Sequence, residues 1–249
     1  MKNALLVAAM AALLPLAACN SEKAAEGSAA ESKPVTPVKA PANGDWSTVA
    51  SATTAGGYMM GNPDAKVKLI EIGALTCPHC REFDETGVQP MIDTYVKTGK
   101  ISWEFRPYLL HGLDVPANLI AGCNGAESFF PLLRALYKDQ NVWVGKLQAA
   151  PPEQLNQIQN LPPAQQFTTF AKLTGLQEWA AMRGVSEAKS SQCLGDQKRV
   201  DQLVQLTSDV QTQFPDFAGT PSFVLNGKLL ERTATWKDLE PKLKEAVGG

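Results

Sequence analysis

Histidine and cysteine are scarce in this chain, with two of the first and five of the second among 249 residues. A closed zinc site needs four ligands. Only Cys77 and Cys80 stand at ligand spacing, there is no second Cys-x-x-Cys, and the histidines are His79 and His111. That shortage argues against a zinc centre, and no metal or cofactor is expected. Long apolar runs are missing too: the stretch from Ala4 to Leu16 is shorter than the roughly 20 residues a spanning helix needs. Excess charge of either sign is absent. Lys and Arg total 23 against 25 for Asp and Glu, a net charge of −2, which leaves no electrostatic footprint for nucleic acid or an acidic membrane surface. No internal repeat is visible. What remains, 44% hydrophobic and 19% charged over this length, suits a soluble globular protein with room for a sizeable core.

The stretch Leu75-Thr76-Cys77-Pro78-His79-Cys80 organises the rest. It follows the apolar run Val67 to Ile72, which reads as a strand. It opens a helix-like segment carrying Phe83, Met91, Ile92, Tyr95 and Val96. The first backbone N–H groups of a helix lack intrahelical partners and carry the positive end of its dipole. A thiolate at Cys77 is therefore favoured over the thiol. Pro78 suits the first turn because its missing N–H costs nothing there, and His79 offers a second donor or positive charge beside Cys77. A Cys77 pKa about two units below pH 7 would favour the dithiol by about 2.7 kcal/mol, or about 60 mV towards a stronger oxidant. The competing reading of the pair is an inert structural disulfide.

Lys2 followed by Ala4 to Leu16 has the charged and apolar regions of a signal peptide. The run ends in Leu16-Ala17-Ala18-Cys19, which resembles the bacterial lipobox and implies lipidation at Cys19. The alternative is cleavage after an Ala-x-Ala-like site with Cys19 unmodified. Either route exports the protein to a compartment where disulfides persist. Asn20 follows the cysteine, where inner-membrane lipoproteins often carry Asp, which favours the outer membrane. Residues 20–44, rich in Ala, Ser, Glu, Lys and Pro, read as a flexible tether able to reach roughly 80–90 Å when stretched.

Beyond the tether, Trp46 to Met60 reads as a leading edge strand. Val67–Ile72 and Ile101–Arg106 are strands flanking a helix from Cys77 to about Lys97, kinked near Pro90, so a parallel β-α-β unit is expected. Between about His111 and Gln213 apolar residues recur at helical spacing, as several short helices and then a longer one from about Asp196 to Gln213. Gly219-Thr220-Pro221 precedes a strand, Ser222 to Leu225. Asn226-Gly227 is a two-residue hairpin turn leading into Lys228-Leu229-Leu230, and a last helix runs from about Trp236 to Val247.

From about Gly61 to the C-terminus the chain resembles the DsbA-like thiol–disulfide oxidoreductases of the bacterial periplasm. The resemblance rests on Cys77-Pro78-His79-Cys80, on Thr220-Pro221 and on Asn226-Gly227. It implies an α/β fold, a thioredoxin-like domain with an inserted helical domain. The divisions expected are a signal peptide with lipobox at 1–18, a tether at 19–44, thioredoxin-like parts at 45–110 and 214–249, and the helical insertion at 111–213. The resemblance also implies a cis Thr220–Pro221 bond holding the Thr220 backbone near Cys77, where a substrate peptide could add as a strand. A trans proline that merely starts a strand is the plainer reading. Glu71, six residues before Cys77, matches an acidic residue that such families keep beneath the second cysteine. Buried there, its pKa would rise and it could pass a proton to or from Cys80. A strand-edge carboxylate facing water is the alternative. Cys123 and Cys193 match the second, non-catalytic disulfide of some relatives. In an oxidising compartment two remaining cysteines more often pair than stay free, though two buried thiols or a second redox couple stay open. His111 is left outside the site.

The activity implied is donation of the Cys77–Cys80 disulfide to reduced exported proteins, with reoxidation by a DsbB-like membrane quinone enzyme. An isomerase or reductase of the same fold, or a tethered peptide-binding module, are the alternatives. Isomerases of this fold usually dimerise through an extra N-terminal domain, for which residues 20–44 are too short and polar. Two features depart from the family: the lipid anchor with its tether, and Thr220 where the best-known oxidases carry Val.

Overall fold

A computed structural model describes residues 39–248 of the chain. The expected signal peptide, the lipidation site Cys19 and most of the expected tether lie outside the described residues. Six strands form one sheet in the order β1-β2-β4-β3-β5-β6. They are β1 (Ala50–Ala52), β2 (Tyr58–Gly61), β3 (Val67–Gly73), β4 (Ile101–Pro107), β5 (Ser222–Leu225) and β6 (Lys228–Leu229). β3 pairs in parallel with β4, from Val67 opposite Ile101 to Gly73 opposite Pro107, and antiparallel with β5. Side chains alternate across a strand. Val67 and Leu69 therefore join the larger core with Trp103, Phe129, Phe130 and Leu133. Ile70 and Ile72 pack on the other face with Tyr108, Val210, Phe214 and Phe217.

The segment expected as one leading edge strand is instead a hairpin, β1 against β2. Gly56 turns the chain at φ 98°, a conformation open to glycine, and the Thr53 hydroxyl accepts the Gly57 N–H at 2.9 Å. The helix after the motif also differs from a simple kinked cylinder. It runs as α1 (Pro78–Phe83), a π-type turn at Asp84–Val88, α2 (Gln89–Met91) and a second π-type turn at Ile92–Val96. In a regular α-helix the Pro90 ring would meet the carbonyl four residues back, and Pro90 has no N–H to give it. The wider i→i+5 turns before and after it carry the helix through.

Between β4 and β5 lie eight helices: α3 (Asp114–Ala121), α4 (Ala126–Lys138), α5 (Gln140–Gln148), α6 (Pro152–Gln159), α7 (Pro163–Thr174), α8 (Leu176–Ala181), α9 (Glu187–Leu194) and α10 (Gln197–Gln213). Asp196 caps α10, accepting the Arg199 N–H at 3.1 Å. A disulfide joins Cys123, just after α3, to Cys193 in α9, across 70 residues of sequence. Asn226 and Gly227 sit at φ 50° and 84°, the paired positive values of a type I′ hairpin turn between β5 and β6. The last helix, α11 (Trp236–Ala246), begins with a capping box between Thr235 and Asp238. This is the α/β architecture with a helical insertion that the resemblance implies. Among the described residues no helix is long and apolar enough to cross a membrane.

Candidate active site

The loop leaving the C-terminal end of β3 delivers Cys77 to the start of α1. Cys77 is the N-cap, with extended backbone (φ −78°, ψ 121°), and Pro78 occupies the first turn with its φ already set for a helix. The Cys77 carbonyl accepts the Arg81 N–H at 3.2 Å, the first bond of the helix. Opposite it stands Thr220, 143 residues later, joined to Pro221 by a cis peptide bond. The Cys77 thiol donates to the Thr220 carbonyl at 3.2 Å. Chain reversal before β5 thus brings the proline loop against the N-terminus of α1.

The two sulfurs live in different surroundings. Cys77 keeps 5% of its surface exposed, and Cys80, one turn into the helix, has none. Cys77 is lowered to about 5, first because the Cys80 thiol turns its hydrogen towards it. Burial works the other way, and the Thr220 side chain and the backbone N–H groups of Cys80 and His79 add to the lowering. Burial pushes Cys80 well up, helped by its hydrogen bond to Cys77 and by the charges of Cys77 and Glu71. One thiol is therefore built to ionise and its neighbour to stay protonated.

His79 stands differently from its expected place beside the sulfur. Its imidazole is 77% exposed and lies 3.6 Å from the Glu82 carboxylate. What it lends Cys77 is its backbone N–H. Glu71 is 1% exposed and accepts the Trp103 indole N–H at 3.2 Å, so it does not face water from a strand edge. Burial raises Glu71 well above the usual carboxylate range, and the charge of Asp84 adds to the rise while Trp103 opposes it. Asp84 itself, in the first π-type turn, is pushed up to about 6 by burial, against the pull of Arg134 at 3.5 Å. It lies four residues after Cys80, a helical spacing that could have flagged it.

Three further side chains grip the loop before Cys77, all from the insertion, and sequence reasoning singled out none of them. Asp114 is fully buried and accepts four hydrogen bonds, from the Thr76 N–H and hydroxyl at 2.9 Å each, and from the N–H groups of Leu110 and His111 at 3.0 and 2.8 Å. Tyr137 donates to the Ala74 carbonyl at 3.2 Å, and Gln140 to the carbonyls of Leu75 and Cys77. An acidic residue at a helix start is an ordinary capping signal, so Asp114 carried no distinguishing mark.

A family model described as "Thioredoxin" matches residues 53–245, most of the chain. The chain belongs to the thioredoxin family. DsbA-type proteins are among its relatives. A Rickettsia bellii protein named "Putative protein-disulfide oxidoreductase" is 28% identical over 170 residues, 68% of this chain and 56% of the relative. The chain thus spans about half the length of that relative. The thiol:disulfide interchange protein DsbA of Bordetella parapertussis is 26% identical over 172 residues, 69% of each chain. Among solved structures, a protein-disulfide isomerase from Novosphingobium aromaticivorans superposes with a TM-score of 0.74 at 27% identity, covering 81% of this chain and all of that one.

Proposed function

We propose that this protein is a thiol:disulfide oxidoreductase that gives its Cys77–Cys80 disulfide to reduced exported proteins. The single observation that carries the reading is geometric: Cys77 caps α1 with its sulfur 3.2 Å from the Thr220 carbonyl of the cis-proline loop, while Cys80, one turn on, is fully buried. A client segment adds as a strand along Thr220, and its thiolate attacks Sγ of Cys77. The Cys77–Cys80 bond breaks and Cys80 leaves with the electron pair. Its high pKa calls for a proton, which the protonated Glu71 carboxyl supplies. A second client thiolate then attacks the client sulfur of the mixed disulfide and expels Cys77 as a thiolate. A low leaving-group pKa speeds that step. The client leaves oxidised by two electrons and the protein leaves as a dithiol.

A DsbB-like membrane quinone enzyme would restore the disulfide, and the setting would be the periplasm, with Cys19 lipidated and the outer membrane the favoured anchor. Pro78 would hold the N-terminal turn, and Cys123–Cys193 would brace the insertion without taking part in exchange.

The test is the reduction potential measured against glutathione. An oxidase should lie near DsbA's value of about −120 mV, and a value near thioredoxin's, about −270 mV, would overturn the direction of transfer. Two features support an isomerase or reductase instead: the similar Novosphingobium protein is named a protein-disulfide isomerase, and Thr220 stands before the proline. A module that only grips peptides would need no acidic thiol. Alkylation of the dithiol form should therefore proceed at pH 6, where a free thiol is nearly inert, and equal inertness here would favour that module.

Glu71 gives a kinetic prediction. Glu71→Gln should slow mixed-disulfide formation with a reduced client by about 10²-fold, the lower end of general acid–base contributions. Stopped-flow fluorescence would read it, and an unchanged rate would remove Glu71 from the mechanism.

A further inference from the structure

Of the side chains by which the insertion grips the loop, Gln140 alone touches the residue that bears the nucleophile. It is the first residue of α5, 3% exposed, and its amide nitrogen donates to the Leu75 carbonyl at 2.7 Å and to the Cys77 carbonyl at 2.9 Å. An amide nitrogen has two hydrogens, so both are spent on this loop. The Cys77 carbonyl already accepts the Arg81 N–H, and Gln140 takes its other lone pair. Two carbonyls two residues apart, held from one buried point, leave the Cys77–Pro78 peptide plane little freedom. That plane sets the direction in which the first N–H groups of α1 face the sulfur.

The geometry points to Gln140 as a positioning residue, which holds the N-cap backbone of Cys77 so that the α1 amides and the Cys80 thiol meet its sulfur. The insertion then does more than enlarge the domain: through one glutamine it sets how readily Cys77 ionises. The inference rests on the function proposed above, since it concerns the same thiol.

Gln140→Met preserves length and volume but cannot donate. In the full chain, reduced, the thiolate absorbance near 240 nm is followed against pH for the unmutated protein and the variant, and each is equilibrated with glutathione. The expected result is a rise of about one pH unit in the Cys77 midpoint, and an about tenfold shift of the glutathione equilibrium towards the protein disulfide. A purely structural role would lower the thermal midpoints of the dithiol and disulfide forms alike and leave titration and equilibrium unmoved, which would overturn the inference. Should the methionine variant fail to fold, Gln140→Leu, which likewise adds no charge and cannot donate, carries the same test, and an unmoved midpoint there overturns it equally. If Cys77 of the unmutated protein titrated like a free thiol, the proposed function would fall and this inference with it. The same acidic midpoint in both proteins would sink this inference alone.

Discussion

Between pH 5 and 8 the dithiol form should gain stability over the disulfide form by about 1.4 kcal/mol for each pH unit, reaching about 2.7 kcal/mol at pH 7. Cys77 sits at about 5 in the folded dithiol, against about 8.5 for a free cysteine in the unfolded chain. A depressed folded pKa stabilises the native state fully above the unfolded value, and the gain is lost as pH falls through the folded one. At pH 7 only the two units between about 5 and 7 count, because the unfolded thiol is still protonated there. Cys80 is pushed upward and is neutral in both states across this window, so it adds nothing to the slope. Glu71, raised by burial, is present in both redox forms and largely cancels in their difference. Denaturant unfolding of the two forms across the window would measure the slope. A difference independent of pH would mean that Cys77 has no special acidity. Cys77→Ser should remove the slope and abolish transfer from the motif, since a serine there cannot form a disulfide with Cys80.

Cutting the second bridge should cost several kcal/mol of stability. Cys123 and Cys193 close a loop of 70 residues through the insertion. In the chain-entropy account, replacing both by serine frees the unfolded chain and lowers stability by about 4 kcal/mol. Equilibrium unfolding in guanidinium, with the motif held in the same redox state, would show it as a lower midpoint with a somewhat steeper slope, because the unfolded chain is more expanded without the bridge. A loss below about 1 kcal/mol would show that the unfolded chain keeps these segments together without the bond. The exchange chemistry should survive, since neither cysteine touches Cys77 or Cys80.

Much of the sheet was legible because its signals are local. Val67–Ile72 is an apolar, partly β-branched run and Ile101–Arg106 alternates apolar and polar, Asn226-Gly227 carries the positive φ values of its turn, and Asp196 announces α10 by a side chain that reaches three residues on. The hairpin of β1 and β2 escaped because each strand is too short to show a period. The π-type turns escaped for another reason. Pro90 predicts a disturbance, but whether the helix breaks, kinks or widens depends on what packs around it.

The motif at 77–80 was readable as chemistry from four consecutive residues, since a cysteine before a proline at a helix start has its acidity favoured by its own backbone. The order of causes was not readable. Local reasoning put the helix start first and gave the His79 ring a part, whereas the Cys80 thiol contributes most and the ring turns outward to Glu82. Nor could local reasoning supply Asp114, Tyr137 or Gln140.

By itself the sequence determined the covalent and short-range facts: which sulfur lies at the head of a helix, which residues alternate, where the chain can turn. Tertiary structure alone decided which distant groups surround that sulfur. The Thr220 carbonyl, the Glu71 carboxyl and the Gln140 amide reach the site only through strand pairing and helix packing across many residues. A buried polar group finds its partner through the whole fold, because desolvation requires one and the nearest in space is seldom nearest in the chain.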